Sequence, residues 1–157
     1  MWQRIRTAIV LIIIVGVALF ASQTPILFAP LLAVGVTIAA HEWTKLMPKW
    51  RQPTVFVLIV LARTLFSLLF SMTWVLWWLA SLVIWLMALS WVSKFPTHTN
   101  WYGRKLAFMG MVILVASITA MFSLWQQSPW WLKYVFLLVW CADSGAYFVG
   151  CKLGRLK

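Results

Sequence analysis

Only two of the 157 residues are acidic, Asp143 and Glu42, so any chemistry that needs a carboxylate must draw on one of them. Asp143 lies within "LVWCADSGAYFVG", residues 138–150, nine residues before Lys152. On a helix that places it roughly 13 Å inside the end of an apolar segment. An ionised carboxylate at such depth costs several kcal/mol unless it faces protein or water, which makes it a candidate to hold a cation or to move a proton. Helical spacing sets Trp140, Asp143, Tyr147 and Gly150 on one stripe. Ser144, Gly145 and Ala146 keep the neighbouring surface small enough for a ligand or a second helix to approach. A structural role competes with this reading, in which Asp143 pairs with Arg63 or Lys133.

Glu42, in "AAHEWTKL", is expected near the end of a helix, where the macrodipole disfavours a negative charge. Lys45, three residues on, can compensate it, so a salt bridge and a ligand role both stand. His41 reads as an interfacial or packing residue, and His98 has no cluster of ligands around it. Arg63 interrupts an apolar run seven to nine residues from either end, where it can snorkel, pair with an acid or grip a lipid phosphate. Gly150 and Gly154 in "GCKLG" allow a backbone to approach a phosphate, with Lys152 and Arg155 beside them. The sequence has no Walker motif, GxGxxG, nucleophile elbow or HExxH. Cys141 and Cys151 form neither a CxxC site nor a disulfide framework.

The elements that must position these residues follow from composition. The chain is 64% hydrophobic and carries 13 tryptophans, far from the usage of a soluble domain. Apolar runs predict an all-α, polytopic membrane protein of about six helices, over residues 7–21, 26–47, 54–70, 74–92, 106–125 and 130–150. The six form one transmembrane unit. Eleven of the 13 Lys and Arg residues fall in loops of one side: Arg4, Arg6, Lys45, Lys49, Arg51, Lys94, Arg104, Lys105, Lys152, Arg155 and Lys157. The opposite turns, 22–25, 71–73 and 126–129, hold none. This asymmetry predicts both termini on the cytoplasmic side. The formal charge of +11 is scattered between apolar runs, so it reads as a topology signal and nucleic acid is not an expected partner.

The stretch "LLVWCADSGAYFVGCKLGR", 137–155, resembles the central region of the bacterial phosphatidate cytidylyltransferases, the CDP-diacylglycerol synthases. The basic start "RIRTAIVLI" and the segment "AAHEWTKL" echo the same family. The resemblance implies an inner-membrane, multi-pass nucleotidyltransferase of phospholipid biosynthesis that joins CTP and phosphatidate with Mg2+ or another divalent cation. It casts Asp143 as catalytic metal ligand, Glu42 as a lesser metal ligand, and Ser144 and Tyr147 as the motif's neighbours of the aspartate; with Lys152, Arg155 and Arg63, whose bases suit phosphate, these two are the candidate substrate contacts. A homodimer is open as an assembly. The family's later Lys-, Arg- and Asp-rich signature does not follow within the 157 residues, so the expectation is an amino-terminal portion, inactive alone. The competing functional classes are a small transporter, with Asp143 as the ion site, and a non-catalytic assembly subunit.

Overall fold

The computed structural model describes Arg6, Ile13, Gly16, Val17, residues 25–47, 52–93 and 103–153, without the side chains of 25–27, 147, 148 and 151–153. Among the described residues the fold is all-α with no strand. The elements are α1 (Pro25–Lys45), α2 (Pro53–Leu69), a 3-10 turn (Ser71–Thr73), α3 (Trp74–Val92), α4 (Arg104–Gln127) and α5 (Pro129–Leu153). The first expected span, 7–21, lies mostly outside the described residues.

Local chemistry sets the helix starts. α1, α2 and α5 each open on proline, whose fixed φ suits the first turn and whose missing N–H is not needed there. Before α5, Ser128 acts as the cap: its Oγ accepts from the Trp130 amide at 3.3 Å, while its carbonyl accepts from the Trp131 amide at 3.1 Å. Gly103 precedes α4 with φ +86°, a left-handed conformation that glycine adopts without a Cβ clash. Sequence reading put Arg104 and Lys105 in a loop; they form the first turn of α4 instead. Pro30 sits inside α1 and leaves one carbonyl of the preceding turn without its helical donor.

The chain divides into two compact units, residues 1–122 and 123–157. In the first, α1 packs on α2. Phe28, Leu32, Val36 and Ala40 recur every four residues along α1, and Phe56, Val60, Thr64 and Ser67 form the buried stripe of α2. Threonines within these stripes satisfy themselves: Thr64 Oγ1 donates to the Val60 carbonyl at 2.8 Å and Thr37 Oγ1 to Ala33 at 2.6 Å. The turn between α2 and α3 is fastened by Trp74, whose indole N–H donates to the Ser67 carbonyl at 2.6 Å. Trp74 also meets Phe122 edge-on at 6.1 Å, and Trp78 Nε1 donates to Thr119 Oγ1 at 3.2 Å, tying α3 to α4. In the second unit Trp125 and Leu132 are the buried described residues, and most of α5 is exposed.

Two helical stretches, Ser71–Val92 and Arg104–Gln127, are long and apolar enough to cross a membrane, and Pro53–Leu69 is a shorter apolar helix. Their exposed surface is itself apolar, with Leu69, Leu76, Leu82, Trp85 and Leu89 all more than half exposed. A surface of that kind is stable against hydrocarbon and costly against water.

Candidate functional site: an open aspartate helix

Asp143 lies within α5, fourteen residues after Pro129 and ten before Leu153. It is therefore roughly 21 Å and 15 Å from the two helix ends. Its side chain is exposed, as are Ala142 and Ser144 on either side. A Cβ added at Gly145 would meet nothing within 4 Å, so the surface beside the carboxylate is open. Among the described residues Asp143 makes no ion pair and no hydrogen bond; the one ion pair there joins Lys45 to Glu42. Within its own unit Asp143 is thus not paired with Lys133. One turn earlier, Phe136 and Trp140 stack at 5.9 Å and 19°, giving α5 a rigid aromatic shelf beneath the acid. Tyr147 and Lys152 fall on α5 but their side chains lie outside the described residues, and Arg155 lies outside altogether.

Glu42 belongs to the first unit and Asp143 to the second. Glu42 is exposed at the end of α1, where Lys45 Nζ donates to its Oε1 at 2.6 Å. Both side chains are more than half exposed, so this is a solvated helix-end pair. What fixes this end of α1 is the next residue. The Trp43 indole N–H donates to the Leu106 carbonyl at 3.1 Å and the ring lies directly on Gly110, leaving no space for a Cβ. That contact brings Glu42 and Lys45 to the end of α4 that begins with Arg104 and Lys105. Neither Trp43 nor Gly110 stands out in the sequence; the signal, an indole paired with a distant glycine, exists only in three dimensions.

Arg63 does not meet an acid. Its guanidinium sits 5.1 Å from the Trp77 ring centroid and 5.8 Å from that of Phe66. Phe66 and Trp77 are each four residues from the 70–73 link, so the charge has moved about 4.5 Å, one step of three residues, toward the turn. An arginine at the centre of a membrane span costs about 2.5–3.5 kcal/mol on insertion scales. Exposed cation–π contacts return only about 0.5–1 kcal/mol each, so the two rings offset part of that cost. Lys133 is likewise placed on an aromatic face, 4.6 Å from the Trp130 centroid.

Among the described residues no group of three or more His, Cys, Asp or Glu could hold a metal ion. A preformed, all-protein cage is therefore not what Asp143 offers. Mg2+ in phosphate chemistry is commonly held through one or two carboxylates, with substrate phosphates and waters completing the shell, and a single open carboxylate fits that mode.

The "Phosphatidate cytidylyltransferase" of Haemophilus influenzae is 31% identical over 187 aligned residues, covering 99% of this chain and 62% of its own length. The "Phosphatidate cytidylyltransferase" of Pseudomonas aeruginosa is 32% identical over 167 residues, covering 99% of this chain and 59% of its own length. The chain thus spans about three fifths of the curated relatives it matches. No solved structure matches it. The model of the cytidylyltransferase family matches residues 2–157, taking in α1 to α5 and the segment around Asp143, and on that extent the chain belongs to the cytidylyltransferase family.

Proposed function

We propose that the chain serves phosphatidate cytidylyltransferase activity, the conversion of CTP and phosphatidate to CDP-diacylglycerol and pyrophosphate. The structural observation that carries the reading is the open, unpaired Asp143 on an apolar helix; the names of the two relatives support it. A phosphate oxygen of phosphatidate attacks the α-phosphorus of CTP, and the bond from that phosphorus to the α,β-bridging oxygen breaks as pyrophosphate leaves. Asp143 would hold Mg2+, which when bound would supply neutralisation of the charge on the transferring and leaving groups. Asp143 acts as the anchoring anion. The small surface of Ser144, Gly145 and Ala146 admits the triphosphate beside it, and the Ser144 hydroxyl donates to a phosphate oxygen. Lys152 and Arg155 supply positive charge later in the same stretch of sequence, and Tyr147 stands four residues from the acid.

The chain crosses the bacterial inner membrane six times with both termini in the cytoplasm, so that Lys45, Arg104, Lys105 and Lys152 share the side from which CTP arrives. The eleven-to-none distribution of bases supports this placement. Glu42 is the weaker metal candidate, because Lys45 already takes its charge.

The test is Mg2+-dependent binding of labelled CTP to the chain in lipid nanodiscs. Asp143→Asn, nearly isosteric and uncharged, abolishes the Mg2+-dependent fraction while helicity and membrane insertion stay at the parental level. Equal binding by parent and variant overturns the role of Asp143.

A further inference from the structure

We propose that Arg63 is the headgroup contact of a bound anionic phospholipid, held where α2 turns into α3. This rests on the membrane placement above but not on the transfer chemistry, and it lies on the first unit, whereas Asp143 belongs to the second.

The geometry of the guanidinium is the argument. Its central carbon lies over the Trp77 and Phe66 rings, 5.1 and 5.8 Å from their centroids. Aromatic faces attract the charge but accept none of the five N–H bonds, which radiate in the guanidinium plane. Among the described residues no carboxylate, carbonyl or hydroxyl accepts from Arg63, although its side chain is exposed. The rings therefore orient a planar fork and leave its donors for an acceptor that the described residues do not supply.

The surroundings say what brings that acceptor. Leu69, Phe70 and Met72 around the turn are exposed, 79%, 52% and 93% respectively, a surface suited to acyl chains. The turn itself carries no charge and belongs to the side without Lys or Arg. A ligand with apolar tails and a phosphate at interfacial depth fits this surface, and two phosphate oxygens match the fork in a bidentate manner. Lys133 on its Trp130 face has a compact ammonium instead, and serves as the charge control.

The experiment embeds the full chain in nanodiscs of equal parts phosphatidylglycerol and phosphatidylcholine and counts co-released lipid by native mass spectrometry. Phosphatidylglycerol is retained over phosphatidylcholine, and Arg63→Gln lowers that retention roughly tenfold, as loss of one charge-assisted bidentate contact implies. Trp77→Leu and Arg63→Lys fall between, the first by releasing the orientation, the second by replacing the fork with a point charge. Lys133→Gln leaves retention unchanged, and circular dichroism confirms equal helicity throughout. Parental retention in Arg63→Gln overturns the proposal. So does displacement by excess inorganic phosphate, which would mark a soluble anion. In a second set of nanodiscs that also contain phosphatidate, retention of phosphatidate without any preference for phosphatidylglycerol over phosphatidylcholine overturns it in favour of a substrate-only contact.

Discussion

α3 and α4 are both long and apolar enough to cross a membrane, yet 6% of one and 39% of the other's most apolar stretch is buried. The difference lies in side-chain size. α3 carries Trp74, Trp77, Trp78, Trp85 and Trp91 among leucines, and buries only Ser81 and Ile84. α4 buries Ala107, Gly110, Val112, Val115, Ala116, Ile118 and Thr119, with Trp125 as the one large ring near its end. In water the large apolar side chains would be drawn inward, since burial is rewarded by area. In hydrocarbon that reward vanishes, and close approach of small residues, with a few interhelical hydrogen bonds, decides which surface is covered. The pair of helices thus reads as sorted by a lipid solvent.

The sharpest way to break the comparison is to spoil the small side. Gly110→Val forces the Trp43 ring off α4 and breaks its bond to Leu106, an overpacking defect expected to cost about 3 kcal/mol, at the upper end for such insertions. Unfolding in SDS, followed by circular dichroism, measures it; a loss under about 0.5 kcal/mol would mean the ring has another place to go. Next comes Thr119→Val, which keeps the volume but removes the acceptor of the Trp78 indole and should cost about 0.5–1 kcal/mol in the same titration. The least effect is expected from Leu82→Ala on the exposed face of α3, within about 0.5 kcal/mol. A cost above about 1.5 kcal/mol there would show that the face is covered in the assembled protein.

Much of the architecture was legible beforehand because apolar length and proline positions are local signals. The expected spans 26–47, 54–70, 74–92, 106–125 and 130–150 differ from α1 to α5 by at most three residues at any end. The "QQSP" turn is a serine cap followed by proline, both readable in one dimension. Asp143 stood out for the same reason: charge against an apolar background needs no coordinates to be noticed. The relation of Glu42 to Lys45 followed from three-residue spacing. Contacts between distant segments were not legible. The Trp43 ring on Gly110, the Trp78 bond to Thr119 and the aromatic seat of Arg63 each depend on how helices pack and turn, which apolar periodicity leaves undetermined when nearly every position is apolar.

The link between α2 and α3 also bears on how the protein is made. Only Phe70 and the single 3-10 turn Ser71–Thr73 separate the two helices, and no ionisable group lies among them. During biogenesis the pair can leave the translocon as one preassembled hairpin, zipped at its tip by Trp74 and Ser67. The tip itself offers only a short backbone and the two hydroxyls of Ser71 and Thr73, and the nearest charge is Arg63, seven residues before Phe70.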